Sequence, residues 1–177
     1  MQRDTPVVPG EFLYLKHLAI SFVAWSSGFC PDYDYLSLVS FLDACPALDT
    51  FELSVSQDSM DHALFSGGPL RQMTGHHHNN LKDVIISGFC SAKSMVELTS
   101  HILENATSLE RLVLDPGASD VRGCNDESTS CRPISRRMVT EARRAFSMVQ
   151  NYILGKVPST VELTVVEPCT RCHGALA

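Results

Sequence analysis

The chain has no Gly-x-Ser-x-Gly turn, no Gly-x-x-x-x-Gly-Lys phosphate loop and no His-Glu-x-x-His helix. Those absences remove the familiar routes to an activated serine, a bound nucleotide and a catalytic zinc. Its Asp and Glu residues are scattered and do not pair at the helical spacing that acid–base work would use. The expectation is a protein that is not an enzyme and carries no cofactor. Basic residues are also scarce, with 14 Lys and Arg against 20 Asp and Glu, for a net charge of −6. That balance argues against nucleic-acid and anionic-membrane partners, both of which need basic surface. No apolar run approaches the roughly 20 residues of a membrane span. The opening residues Arg3, Asp4, Pro6 and Pro9 interrupt any signal-peptide core. Cysteine is odd in number, at 7, which without a secretory signal reads as reduced thiols in nucleus or cytoplasm.

What is present is one recurring pattern. Leu15-Lys16-His17-Leu18-Ala19-Ile20, Leu48-Asp49-Thr50-Phe51-Glu52-Leu53, Leu81-Lys82-Asp83-Val84-Ile85-Ile86 and Leu109-Glu110-Arg111-Leu112-Val113-Leu114 all read apolar-x-x-apolar-x-apolar. The last two apolar positions lie two apart, so on a strand they face the same way. Ser-Gly-Phe-Cys occurs twice, at 27–30 and 87–90, each time between such a strand and a helical stretch. This is the strand half of a leucine-rich repeat, with spacings longer than the usual 20–29 or so residues. The predicted fold class is α/β: a leucine-rich-repeat solenoid fragment with parallel strands on one face and helices on the other.

In chain order, residues 1–11 read as a flexible lead-in, 12–166 as the repeat domain and 167–177 as a cysteine-containing tail. The first strand has no amphipathic cap before it, so the chain is expected to be part of something longer on its N-terminal side. Asp34 is placed as N-cap of a helix over 35–44, with Leu36, Val39 and Leu42 inward and Pro46 as its stop. Residues 56–80 are irregular, with a short helix at 61–65. His76, His77 and His78 read as a solvated loop, since adjacent side chains diverge and a metal needs convergent ligands. Ser94-Met95-Val96-Glu97 matches a capping box opening a helix to Glu104 with Met95, Leu98 and Ile102 inward. Asn105 suits its C-terminal end. Residues 115–133, rich in Pro, Gly, Ser, Asn and Asp, form an irregular insertion. The longest helix is expected over 136–154, with Val139, Ala142, Phe146, Val149 and Ile153 as its apolar stripe. Gly155 is assigned as its C-terminal glycine. Arg136, Arg137, Arg143 and Arg144 line its other faces. A fifth strand is expected at 160–166.

Cys169-Thr170-Arg171-Cys172-His173 is the chain's one metal-like spacing. Two thiolates that close can clamp zinc, but a closed site needs four ligands and no second close pair exists. Two reduced thiols are the plainer reading, so no metal site is assigned; Cys124 and Cys131 are the remaining possible ligands. Cys169, Cys172 and His173 stay as weak candidates, and a small zinc-binding protein as the alternative function.

If the strands stack in parallel, the positions between the inward ones form rows across the concave face. One row runs His17, Thr50, Asp83, Arg111, Glu162. The next runs Ala19, Glu52, Ile85, Val113, Thr164, and the third Ser21, Ser54, Ser87, Asp115, Val166. Arg111 then stands between Asp83 and Glu162, about 5 Å from each in backbone terms. Ile85 and Val113 form a small apolar spot beside it. Such a mixed surface suits protein recognition, and the candidate protein-binding residues are Glu52, Asp83, Ile85, Arg111, Val113 and Glu162.

The strands at 48–53 and 109–114, the segment Ser87-Gly88-Phe89-Cys90-Ser91-Ala92-Lys93-Ser94-Met95-Val96-Glu97-Leu98 and the ending Gly155-Lys156-Val157-Pro158-Ser159 resemble the C-terminal part of plant F-box/leucine-rich-repeat proteins. The grass group related to the meiotic F-box proteins is the nearest. The resemblance spans roughly residues 11–173. It implies a substrate-recognition module of an SCF-type E3 ubiquitin ligase. In that family an N-terminal F-box docks on a Skp1-type adaptor while the repeats choose the substrate. The roughly forty residues of an F-box are absent before Leu15. The expectation is therefore the receptor half only, with a Skp1-type partner conditional on an F-box elsewhere, or a truncated repeat fragment without a role of its own.

Overall fold

The computed structural model of the chain describes residues 12–23, 33–56, 68–73, 77–116 and 136–167. The lead-in at 1–11, the first Ser-Gly-Phe-Cys copy, the helix at 61–65, His76, nearly all of the 115–133 insertion and the cysteine tail with Cys169, Cys172 and His173 lie outside them.

Each repeat enters its strand through the same turn. The N–H of Leu15 donates to the carbonyl of Phe12, Leu48 to Cys45, Leu81 to His78, Leu109 to Ala106 and Val161 to Pro158, at 3.0–3.3 Å. The leading leucine of the motif is thus the residue that closes a turn and drops its side chain into the core. Leu48 is 3% exposed, Leu81 0% and Leu109 5%. The next two N–H groups then both reach one carbonyl of the preceding repeat. Asp49 and Thr50 donate to Lys16, Lys82 and Asp83 to Asp49, and Glu110 and Arg111 to Lys82. Two donors on one acceptor make a bulge at these three strand entrances, so that both entrance donors find a partner. The fifth repeat is one residue shorter here, so only Glu162 donates, to Glu110 at 2.8 Å.

The strands that follow are β1 (His17–Val23), β2 (Thr50–Ser56), β3 (Asp83–Ser87), β4 (Arg111–Asp115) and β5 (Glu162–Val165). They form one parallel sheet in the order β1-β2-β3-β4-β5. Leu18, Phe51, Val84, Leu112 and Leu163 share one register position, and Ile20, Leu53, Ile86, Leu114 and Val165 another. In the three middle strands these side chains are sealed: Phe51, Val84, Ile86, Leu112 and Leu114 are 0% exposed. Each such side chain contributes roughly 1.5–3 kcal/mol by leaving water. Leu18, Ile20, Leu163 and Val165 are only half-buried, because an edge strand has a neighbour on one side alone.

Helices back the inward columns. Residues 35–44 are not a single helix: a 3-10 turn (Tyr35–Leu38) passes into the short α1 (Val39–Asp43). Leu36, Val39 and Leu42 are buried as expected. α2 (Lys93–Asn105) is buried over Ser94 to Leu103, all the way round, because it lies between the Tyr35–Leu38 turn and the end of the following helix. α3 spans Arg136–Met148 only. The predicted helix to 154 instead widens into a π turn (Val149–Ile153) and tightens into a 3-10 turn (Leu154–Lys156). Its buried stripe is Val139, Ala142, Ala145, Val149 and Ile153, with Phe146 at the margin. Gly155 is not in the left-handed region, so it does not act as a glycine stop.

Three local expectations give way to longer-range partners. Asp34 is the N-cap residue, but its carboxylate makes no cap bond and instead takes the Arg71 guanidinium. Ser94 and Glu97 do not form a capping box: α2 is preceded by Ala92 with no side-chain cap, Ser94 Oγ donates to the Tyr33 carbonyl, and Glu97 also holds Arg71. His77 is exposed, but His78 is not a solvated loop residue; it is 8% exposed. Its N–H donates to the Asn105 carbonyl at the end of α2, which pulls its ring against His101 with centroids 5.7 Å apart and Nε2 3.8 Å from Asp43.

That packing has a pH consequence. His101 is 4% exposed and its Nε2 has no hydrogen-bond partner. Burial pushes its pKa below the ordinary 6.5, against the weaker opposite pull of Asp43 and Glu104. Above pH 6.5 the ring is neutral in both folded and unfolded chains. As pH falls further, the unfolded chain takes up a proton that the folded ring refuses, so stability drops until the folded-state value is passed. Urea unfolding at pH 7.5 and 5.5 is expected to show a smaller acid loss for His101→Leu than for the unaltered chain. Equal losses would contradict this account.

Candidate functional site

The face of the sheet opposite the helices carries the rows expected from the sequence. His17, Thr50, Asp83, Arg111 and Glu162 occupy successive register positions, as do Ala19, Glu52, Ile85, Val113 and Thr164. The alternation that buries Val84 and Ile86 leaves Asp83, Ile85 and Ser87 half-buried on the open side. Thus the six candidate residues, Glu52, Asp83, Ile85, Arg111, Val113 and Glu162, lie on four adjacent strands of one surface.

Arg111 Nε donates to Asp83 Oδ1 across the β3–β4 pair at 2.7 Å. The Asp83 hydrogen bond, and then the Asp83 charge, hold the guanidinium above its ordinary pKa, and Glu162 adds a smaller pull in the same direction from β5. Arg111 is therefore drawn towards Asp83, and the Glu162 carboxylate is left as the less engaged of its two acids. The position-by-position rows do not show that His17 Nε2 approaches Glu52 Oε1 at 3.4 Å. The pair is diagonal, between β1 and the next row of β2, and a register table searched for diagonals as well as direct neighbours would have found it. Ile85 and Val113 are direct register partners and both half-buried, which makes the apolar spot real.

Glu52 and Ile85 also border a depression of about 60 Å³ shared with Ala19, Ser21, Ser54 and Ser87. Sites for drug-sized ligands run to roughly 300–1,000 Å³, so this hollow is well below that size. Among the described residues no set of three His, Cys, Asp or Glu side chains is placed to hold a metal ion, and no helix is long and apolar enough to cross a membrane.

A parallel sheet of Leu-x-x-Leu-x-Leu strands, entered by identical turns and backed by helices, is a leucine-rich-repeat domain. Domains of this class point to protein interaction and are in general non-catalytic. The model of the At1g61320/AtMIF1 leucine-rich-repeat domain family matches residues 2–170, and the chain belongs to that family. No curated protein and no solved structure matches the chain.

Proposed function

We propose that the chain is a non-catalytic recognition module that grips a protein partner on the open, concave face of its sheet. Glu52, Asp83, Ile85, Arg111, Val113 and Glu162 are the contact residues. The observation that carries this reading is the register: charged and apolar side chains from four strands come side by side on one face, and Glu52 and Ile85 border a shallow hollow at one end of it. A partner methyl group fits that hollow, Ile85 and Val113 supply apolar area, and Glu52 and Glu162 offer acceptors to basic groups. The resemblance to grass F-box/leucine-rich-repeat proteins extends the proposal to the substrate-binding part of an SCF-type E3 ubiquitin ligase. Contact with a Skp1-type adaptor belongs to an F-box, so it requires one in the same gene product. Cys45 and Cys90 are buried free thiols, in keeping with a nuclear or cytoplasmic setting.

Charge reversal tests the surface. Asp83→Lys and Arg111→Glu each break the 2.7 Å pair and place the wrong sign at the centre of the face. Each is expected to weaken binding of a partner identified by proximity labelling about tenfold, roughly 1.4 kcal/mol. Arg111 is half-exposed and Asp83 half-buried on the open side, so losing their pair should lower folding stability by no more than about 1 kcal/mol. Unchanged affinity in both variants would remove the assignment. Co-purification of a Skp1-type adaptor with the product of the native locus tests the ligase reading separately.

A further inference from the structure

The open face of the sheet has acids on both sides of its apolar spot. Glu52, Ile85, Val113 and Thr164 occupy one row across β2 to β5. Three carboxylates on the open side of these strands, Glu52, Asp83 and Glu162, face one guanidinium, that of Arg111. Asp83 holds Arg111 at 2.7 Å, so the middle of the face is close to neutral. Glu52 and Glu162 then set its sign. Glu52 meets His17 Nε2 through one oxygen, Oε1, at 3.4 Å, and 45% of its side chain stays exposed. Glu162 is exposed on β5 and pulls on Arg111 less than Asp83 does.

The separation of these two acids selects the shape of a partner. Neighbouring strands lie about 4.8 Å apart and Glu162 stands one row nearer the strand entrances than Glu52, so their Cα atoms are about 16 Å apart. In an extended peptide, residues i, i+2 and i+4 point to one side and span about 13 Å. Two long basic side chains at i and i+4 cover the difference with their flexible stems. The residue at i+2 then falls on Ile85 and Val113. A helix fits less well. Its apolar stripe is about 100° wide and runs on over several turns, whereas the apolar row here is bounded by Glu52 on β2 and Thr164 on β5. At the Glu52 end, Ser54 and Ser87 border the same hollow. An ammonium group has three N–H donors, and the two hydroxyls supply acceptors beside the carboxylate.

We propose that the open face holds an extended, basic segment of a partner protein, in which Lys or Arg residues at i and i+4 flank an apolar residue at i+2. This rests on the concave-face reading given above and adds the sign, the spacing and the backbone form of what is held. The first basic residue pairs with Glu52, the apolar residue covers Ile85 and Val113, and the second basic residue pairs with Glu162. The net charge of −6 draws such a segment towards the chain and repels an acidic one. Exposed ion pairs contribute little singly, so recognition depends on the three contacts being made together.

The test uses the full chain and three fluorescein-labelled peptides built on a Ser/Gly background. The first carries Lys, Ile and Lys at alternate positions, the second has Ser in place of Ile, and the third has Glu in place of both Lys. Anisotropy at 50 mM NaCl should show binding of the first, at least fivefold weaker binding of the second and little of the third. Binding of the first should weaken at 200 mM. The Glu52→Gln/Glu162→Gln protein should bind the first peptide at least tenfold more weakly; Gln keeps the side-chain volume at two open-face positions, so the fold is retained. Arg144→Gln, on the helical side of the domain, should leave that binding unchanged. Equal affinities of the first peptide for the unaltered and Gln-substituted proteins, or no preference for it over the Glu peptide, would overturn the proposal. Tighter binding of the Glu peptide, lost in Arg111→Gln, would overturn it in favour of an acidic partner on the same face. The concave-face reading fails separately, if Asp83→Lys and Arg111→Glu leave the proximity-labelled partner bound as before.

Discussion

Gly88→Ala is expected to destabilise the domain by on the order of 4 kcal/mol, enough to unfold much of a marginally stable chain. Gly88 follows β3 directly, with φ of +75°. An L side chain there costs about 1–2 kcal/mol for the left-handed backbone alone. The larger part is steric: a Cβ at Gly88 would sit 1.9 Å from the Val55 carbonyl oxygen and 2.9 Å from its carbon. Both are backbone atoms of β2, so relief requires β2 and β3 to part at their exits. There Phe89 is 0% exposed and its N–H donates to the Asp115 carbonyl. Urea unfolding should show a lower midpoint at an unchanged slope. Gly155→Ala is the control: nothing lies within 4 Å of its Cβ position and its φ is ordinary, so the midpoint should barely move.

Arg71→Ala carries the second large effect, about 2–3 kcal/mol. The Glu97 side chain is 0% exposed. It accepts the Arg71 backbone N–H at 2.8 Å, Nε at 2.8 Å and a terminal nitrogen at 2.6 Å, with Lys93 Nζ farther off at 3.8 Å. The other edge of the guanidinium takes both oxygens of Asp34, at 2.7 and 2.8 Å. One side chain thereby ties the segment at 68–73 to α2 and to the start of the first helical turn. Removing it leaves a buried carboxylate short of donors, for which about 3–5 kcal/mol is usual. The lower figure here reflects that Arg71 is half-exposed, so water and Lys93 partly replace it. The backbone N–H bond survives in Arg71→Ala.

The pair is also acid-sensitive. The Arg71 hydrogen bond holds the Asp34 carboxyl below its ordinary 3.8, against the opposing effect of burial. Its stabilisation is present above that value and is lost as pH falls through the lowered folded-state value. Arg71→Ala should therefore flatten stability between pH 5 and pH 3 while lowering it at neutral pH. A variant as stable as the original at pH 7 would show that the clamp contributes little.

Sequence reading succeeded where a pattern repeats and failed where one contact does the deciding. The Leu-x-x-Leu-x-Leu motif settled the strand register at every position, because a shift of one residue would turn all inward side chains outward. From the register followed the Asp83–Arg111 pair and the Ile85–Val113 spot. Glu97 was legible as a cap and Asp34 as another, since both readings use signals within four residues. Their actual partner is 26 and 37 positions away in the irregular stretch after β2. His78 looked solvated for the same reason: its burial depends on the end of α2. The closing helix was overrun by six residues, as its apolar stripe continues through the π and 3-10 turns.

By itself, then, the sequence determined the repeat, the parallel sheet and the composition of the open face. These follow from a period-two alternation copied from strand to strand, and each copy reinforces the next. Only the tertiary structure decided the Arg71 clamp, the buried His78–His101 contact and the obligate glycine at position 88. Each of these rests on the distance between groups remote in the chain, and that distance exists only once the repeats have stacked.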